Sequence, residues 1–293
     1  MDERRLLAIM AHPDDESMGV GGALARYAAE GAGVYLITAT RGQLGWFGDE
    51  ASYPGPQILG AIREQELYAA ARILGLREVH LLDYMDGALD QAQPNRIIAQ
   101  LVSHIRRIRP QVVLTFDPNG YYGHPDHIAI SQFTTAALIA AADGNFKDKS
   151  APHRVSKLYY LAANKATQDA YEAAFGELTM KIDGVERRST PWADWAITTR
   201  IDTSAHWQKV WQAISCHRSQ LPGYQKLLDL PEEYHQNMWG AQTFYRAMSL
   251  VNSGRAVESD LFSGVKMEQH PLEVAVTQRM TVFQRSEILN DAA

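Results

Sequence analysis

The stretch LLAIMAHPDDE, residues 6–16, decides how the rest of the chain is interpreted. Its first five residues, Leu6 to Met10, form a continuous apolar run without the alternation of a half-exposed strand. Such a run is typical of a strand that is buried on both faces of a parallel sheet. The polar residues that follow at once, His12 to Glu16, are therefore expected at the carboxyl end of that strand.

Three further apolar runs alternate with stretches of helical spacing. Strands are predicted at 34–39, 79–82 and 112–116, and helices at 58–73 and 94–108. This alternation predicts a doubly wound, mostly parallel, Rossmann-like α/β sheet with right-handed crossovers. In the usual strand order the first and fourth strands adjoin where the winding reverses, and ligands bind outside their carboxyl ends. The loops after Met10 and Phe116 should therefore face each other.

The second half of the chain has a weaker pattern. It predicts a fifth strand at 158–161, a hairpin turn at Asp183-Gly184 and a helix within 206–216. No low-complexity linker or internal repeat marks a boundary. We therefore interpret residues 1–165 as a Rossmann-like metal-binding core. Residues 166–293 are expected to form a C-terminal α+β elaboration of the same domain, on the substrate side.

Composition excludes several classes of function. The chain is 46% hydrophobic, and 28 basic against 34 acidic residues give a net charge of −6, which argues for a globular protein and against a nucleic-acid partner. No apolar run is long enough for a signal peptide or a membrane span, so we expect a cytoplasmic protein without membrane insertion. The lone Cys216 excludes a thiolate zinc site. A homo-oligomer stays open.

Two loops carry residues that suit a metal. AHPDDE at 11–16 and GHPDH at 123–127 each follow a strand at the predicted switch point. Two imidazoles and one carboxylate suit a divalent ion and leave a coordination position for water, which is the catalytic form of a zinc site. Taken singly, each loop is as easily a turn, with Asp126 as a helix cap. Their coincidence at one sheet edge favours a metal site.

These motifs resemble the paired signature of the LmbE-like zinc deacetylases, the PIG-L family. The similarity extends to Thr40-Arg41-Gly42 and to residues 63–67, and more weakly to residues 217–220. It implies hydrolysis of the acetyl amide of a small-molecule N-acetylglucosamine conjugate. It also implies Zn²⁺ as the cofactor, with Fe²⁺ or another divalent metal as the alternative.

The resemblance also implies roles for individual residues. The metal ligands would be His12, Asp15 and His127. Asp14 would be the general base, a protonated His124 would stabilise the oxyanion, and Asp126 would orient His124 or another imidazole. The positions of Arg63, Asp86 and Tyr122 resemble substrate-binding positions. Each of these three also has a structural alternative, respectively a helix ion pair, a turn residue and a packing residue.

The same residues bear on four other functions. An iron(II) oxygenase is disfavoured, because the spacing of His12 and Asp15 and the α/β alternation differ from those of such enzymes. A dinucleotide site is excluded, because Leu24 stands where the glycine fingerprint needs Gly. Two alternatives stay open: an amidase for a thiol-sugar S-conjugate or another amide, and a non-catalytic metal-stabilised carbohydrate-binding protein.

Overall fold

A computed structural model describes residues 3–266, except 178, 183, 252–253 and 255. The strands are β1 (Arg5–Met10), β2 (Gly33–Thr40), β3 (Glu78–Tyr84), β4 (Val112–Phe116), β5 (Lys157–Leu161), β6 (Thr179–Ile182), β7 (Val185–Arg188), β8 (Thr199–Asp202) and β9 (Ala241–Ser249). The helices are α1 (Asp15–Met18), α2 (Gly21–Ala29), α3 (Pro56–Leu74), α4 (Pro94–Ile108), α5 (Gly120–Gly123), α6 (Pro125–Ala142), α7 (Lys165–Phe175), α8 (Trp207–Ile214), α9 (Gln225–Leu228) and α10 (Glu232–Trp239).

A seven-stranded sheet forms the centre of the fold, in the order β3-β2-β1-β4-β5-β9-β8. The first five strands along the chain pair in parallel, and β9 joins β5 and β8 in antiparallel fashion. The predicted Rossmann-like α/β class is thereby confirmed. Every side chain from Leu6 to Met10 is fully buried, as a strand covered on both faces requires.

The helices between the parallel strands begin and end where the sequence signals them. Pro56 and Pro94 lie in the first turns of α3 and α4, where a backbone N–H would have no acceptor within the helix, so proline loses no hydrogen bond there. Gly75 ends α3 in the left-handed conformation, with φ of 80°. On α4, Ile97, Leu101 and the other apolar residues at helical spacing face the core.

The C-terminal part of the chain extends the central sheet and covers one end of it. β8 and β9 complete the sheet, while β6 and β7 form a separate hairpin around Gly184. The other residue of the predicted turn, Asp183, lies outside the described residues. The proposed division of the domain after residue 165 stays a prediction. No helix in the described part of the chain is long and apolar enough to cross a membrane.

The sheet order brings the two polar loops together. Leu6 of β1 pairs with Val112 of β4, so the carboxyl ends of these strands are neighbours. His12 follows β1 and His127 lies in the first turn of α6, after β4. The two imidazoles are within 3.2 Å of each other, which confirms that these loops face one another.

Candidate metal centre and active site

The loop after β1 is held in shape by its own side chains. Asp14 has a left-handed backbone, with φ of 105°, and its N–H donates to Glu16 Oε2 at 2.9 Å. The N–H groups of Ala11 and His12 donate to Asp15 Oδ2 at 3.2 and 2.8 Å. A non-glycine residue in this conformation is strained, and such strain persists only where the surroundings enforce it. The loop therefore presents two adjacent carboxylates in different directions.

Three side chains, those of His12, Asp15 and His127, converge beside the cavity at this edge of the sheet. His12 Nδ1 lies 3.2 Å from His127 Nε2 and 3.6 Å from Asp15 Oδ2, and His127 Nε2 lies 3.4 Å from Asp15 Oδ1. Ligands at 2.0–2.2 Å from a tetrahedral ion are about 3.3–3.6 Å apart. The spacing of the two nitrogens is close to that of ligands on such an ion, and the Asp15 carboxylate lies beside both nitrogens, with a different oxygen nearest to each.

The outer nitrogens of both imidazoles are paired with acceptors. His12 Nε2 lies 3.1 Å from Asp126 Oδ2 and 3.1 Å from Asp86 Oδ1. His127 Nδ1 lies 3.3 Å from the Gly120 carbonyl oxygen. Donation through these outer nitrogens leaves the inner nitrogens to face the centre, as in metal-ligating histidines. The imidazole that Asp126 contacts through its carboxylate is thus that of His12.

Burial and hydrogen bonds shift the pKa values of two groups in this cluster. Burial alone would lower the pKa of His12, but its hydrogen bonds to Asp126 and Asp86 outweigh burial and raise that pKa to about 10. Burial raises the pKa of Asp15 to about 7. Both groups therefore tend to keep a proton, whereas each binds a metal only after that proton has left. Binding of a metal by these residues would therefore release protons.

His124 lies beside these donors at the start of α6. It occupies the cap position expected for Asp126, and its Nδ1 accepts the Asp126 N–H at 3.1 Å. The proton of the neutral ring is therefore on Nε2. Burial, and then the charge on His12, lower the pKa of His124 to about 4. Because Nδ1 accepts an N–H, the structure favours a neutral ring, and the protonated His124 that the resemblance implies stays a prediction.

Arg63 braces the second carboxylate of the loop. Its Nη2 donates to the Pro13 carbonyl oxygen at 2.5 Å and lies 3.2 Å from Asp14 Oδ2, while Nη1 donates to the Gly42 carbonyl oxygen at 2.9 Å. Its Nε is buried and has no hydrogen-bond partner within the described residues. The alternative of an ion pair along helix α3 is not what the structure shows, since the partner is Asp14.

A buried pair that sequence reasoning missed supports the same loop. Glu16 Oε1 lies 2.9 Å from His217 Nε2, and both side chains are fully buried. Burial opposes both charges, yet each partner offsets it, so the pKa of Glu16 is lowered and that of His217 is raised. The only signal in the sequence was the weak resemblance at residues 217–220. The pair holds Glu16 where it accepts the Asp14 N–H.

A cavity of about 450 Å³ opens above these groups. Of the nine residues predicted for the site, eight line it, and Asp126 lies behind His12, fully buried. Asp86 lines the cavity while its oxygens contact His12 Nε2 and accept the Leu44 N–H. The Tyr122 ring stands edge-on to His127, with 5.3 Å between centroids. The structure thus brings the nine residues together from four segments of the chain.

Comparisons with known proteins point to one family. The sequence profile of the GlcNAc-PI de-N-acetylase family, PIG-L, matches residues 7–138. A Rhodococcus jostii (strain RHA1) protein named 1D-myo-inositol 2-acetamido-2-deoxy-alpha-D-glucopyranoside deacetylase is 37% identical over 247 residues, which cover 75% of this chain and 83% of that protein.

Solved structures share the fold. The conserved protein TT1542 from Thermus thermophilus is 26% identical with a TM-score of 0.60, over 87% of this chain and all of that one. An N,N'-diacetylchitobiose deacetylase from Pyrococcus horikoshii superposes with a TM-score of 0.58 at 22% identity, over 80% of this chain and 73% of that one. The second similarity, at this identity, concerns the fold alone.

Proposed function

Because this chain belongs to the GlcNAc-PI de-N-acetylase family, PIG-L, we propose that it is a metal-dependent hydrolase that removes the acetyl group from an N-acetylglucosamine conjugate. The observation that carries the proposal is that the side chains of His12, Asp15 and His127 meet beside Asp14 in the cavity, with 3.2–3.6 Å between the nearest polar atoms of each pair. The R. jostii relative is named for an acetylated glucosaminyl inositol, and we propose a small-molecule substrate of this class.

Zinc is the ion that we propose for the site, with Fe²⁺ or another divalent ion as the alternative. His12, Asp15 and His127 would hold it, and Asp126 and Asp86 would fix the orientation of the His12 ring. When bound, such an ion lowers the pKa of a coordinated water toward about 7 and polarises a carbonyl oxygen.

Asp14 is the proposed general base. Its carboxylate lines the cavity beside the donor atoms, and the Arg63 guanidinium 3.2 Å away holds it in one orientation. Glu16 fixes the strained backbone of Asp14 through the hydrogen bond to its N–H. In this position Asp14 accepts a proton from the attacking water and returns it to the nitrogen of the leaving amine. The amide C–N bond breaks, and acetate and the free amine are the products.

His124 is the proposed oxyanion donor. With Nδ1 occupied by the Asp126 N–H, the neutral ring presents its Nε2–H. A neutral donor stabilises the developing negative charge without competing with the cation for the same buried space.

The sugar is proposed to bind near Arg63, Asp86 and Tyr122. Asp86 has two oxygens with about four acceptor positions, and the protein uses only part of this capacity, through His12 Nε2 and the Leu44 N–H. Sugar hydroxyls can occupy the rest. The Tyr122 ring beside His127 gives an apolar wall against which the amide can lie.

The test uses the purified chain loaded with Zn²⁺. A panel of N-acetylglucosamine conjugates is incubated with it, and free amine is measured beside a chelated sample and a Zn²⁺-restored sample. Chelator-sensitive release of amine from an acetylated conjugate supports the proposal. If none of the acetylated conjugates is cleaved by a protein shown to hold about one equivalent of metal, the deacetylase proposal fails. The alternatives are then the amidase for another amide and the non-catalytic carbohydrate-binding protein.

A further inference from the structure

The sheet order divides the residues that line the cavity into two groups, one on each side of the metal-ligand cluster, and we call these two sides its arms. His12 follows β1 and His127 follows β4, in the middle of the sheet order β3-β2-β1-β4-β5-β9. The arm over β2 and β3, the polar arm, contains Gly45, Phe47, Arg63, Asp86 and Gln220. The arm over β5 and β9, the apolar arm, is formed chiefly by Met18, Leu161, Ala163, Tyr171, Met238 and Trp239.

Polar groups in the apolar arm are bonded to the protein itself. The Tyr171 hydroxyl donates to the Met18 carbonyl oxygen at 2.7 Å and accepts the Trp239 Nε1–H at 3.2 Å. Gln242 Oε1 accepts the Ala23 N–H, and its Nε2 donates to a backbone carbonyl oxygen. The Thr243 hydroxyl donates to another carbonyl oxygen. The lining turns polar only toward Thr167, Glu177 and Thr179.

The surface that this arm offers to a ligand is therefore apolar and built from several elements. Leu161, Ala163 and Tyr171 are 6–9% exposed and form this surface, while Trp239, fully buried, and Met238, 2% exposed, support it from within the packing. Trp211 stacks on Trp239 from behind, with 5.9 Å between ring centroids. A sugar needs hydroxyl partners, because polar groups buried without partners lose free energy, and this arm offers few.

The chemistry of an amide assigns the arms. The sugar is attached to the nitrogen of the scissile bond and the acyl group to its carbonyl carbon, so the two extend in opposite directions from the cluster. The polar arm, with Arg63 and Asp86, suits the sugar, and the apolar arm is then left for the acyl group. An acetyl group has only one methyl to place there.

We propose that the apolar arm is an acyl subsite, and that this chain hydrolyses N-acyl amino-sugar amides whose acyl group is an apolar chain longer than acetyl. The inference rests on the proposed hydrolase function. In the step, the water oxygen bonds to the acyl carbon, the C–N bond breaks, and the nitrogen takes a proton. A carboxylic acid of the chain length of the substrate and a free amino sugar are released.

The experiment compares N-acetyl, N-butyryl and N-hexanoyl glucosaminides that carry the same aglycone. Burial of one methylene favours binding about fourfold. We therefore expect kcat/KM for the hexanoyl substrate to equal or exceed that for the acetyl substrate. A hexanoyl value at least 100-fold below the acetyl value, with acetyl hydrolysis intact, would overturn the acyl subsite and leave the deacetylase proposal standing.

Two variants locate the effect in the apolar arm. Ala163→Leu fills part of this arm, and the hexanoyl-to-acetyl ratio of kcat/KM should fall at least tenfold. Phe47→Leu is the matched control in the polar arm and should leave this ratio within threefold of wild type. Met238→Ala lengthens the apolar arm and should raise the ratio of octanoyl to hexanoyl hydrolysis, which keeps the test decisive if Ala163→Leu does not fold. Equal changes of the ratio in Ala163→Leu and Phe47→Leu contradict the assignment.

A binding measurement separates the two proposals. Acetate, butyrate and hexanoate are titrated into the Zn²⁺-loaded protein by calorimetry. The affinity should rise at least 30-fold from acetate to hexanoate if the subsite exists. If the affinity rises in this way but the protein cleaves none of the glucosaminides, the subsite is supported and the hydrolase function is rejected. Affinity that does not depend on chain length rejects the subsite, whatever the enzyme hydrolyses.

Discussion

The buried Glu16–His217 pair provides a prediction whose size follows from the structure. Both side chains are fully buried, and the contact between them is 2.9 Å. His217→Gln removes the cation and leaves the Glu16 carboxylate with its hydrogen bonds to Ser17 and Asp14 only. Breaking a buried ion pair from one side costs about 3–5 kcal/mol. This is a large part of the about 5–15 kcal/mol that stabilises a typical domain.

The double replacement separates the pair from its parts. Glu16→Gln alone leaves His217 free to lose its proton, so its cost should be smaller. Glu16→Gln/His217→Gln removes both charges, and its cost should fall short of the sum of the single costs by at least about 1.5 kcal/mol. A deficit of this size shows that the two residues are coupled as an ion pair.

Urea unfolding followed by circular dichroism measures these free energies. All four proteins are compared at pH 7 and at one fixed free Zn²⁺ concentration, because a metal that binds only the folded state adds to its stability. A coupling below about 0.5 kcal/mol would refute the reasoning, since unconnected residues add within that error. His217→Gln should also lower kcat more than it changes KM, because the pair positions Asp14 rather than the substrate.

Three further predictions test the site and the fold. Asp14→Asn should retain about one equivalent of metal by elemental analysis while losing most turnover, whereas His127→Ala should lose both; equal metal loss would contradict the division between base and ligand. His124→Ala should keep metal and lower kcat by about 10² to 10³, because one oxyanion donor is removed; steady-state kinetics on an acetylated substrate checks this, and unchanged kcat excludes that role. Burial, and then the charge on His80, lower the pKa of His104 to about 4. The unfolded chain therefore binds a proton at this residue more readily than the folded chain does. The free energy of unfolding should fall by about 1–2 kcal/mol as the pH drops from 6.5 to 4. Urea midpoints across this range should show the loss, and His104→Gln should flatten it; an identical pH profile in that variant would show that other groups are responsible.

Much of the site could be located from the sequence because its placement follows from local patterns and one rule of topology. Strands that are buried on both faces are mainly apolar, which identified β1 and β4 from the sequence alone. The switch-point rule then brought His12 and His127 together across more than a hundred residues. The lone cysteine restricted the ligands to imidazole and carboxylate.

The protonation and outer contacts of the site could not be obtained in this way. Asp86 was assigned to the sugar from the resemblance, and its contact with His12 Nε2 appears only in the folded chain. The pKa of His124 depends on burial and on the charges of its neighbours, which are sums over many groups. A local pattern contains neither quantity.

The sequence by itself determined the α/β sheet, the edge of the sheet where chemistry is placed, and the residue types that meet there. The tertiary structure alone decided that Glu16 pairs with His217, 201 positions away, and that helices α7 and α10 enclose an apolar arm beside the metal-ligand cluster. The physical reason is that the patterns of strands and helices are local in the sequence. The hydrophobic effect is non-directional, so which buried side chains of the second half contact each other depends on the packing of the whole fold.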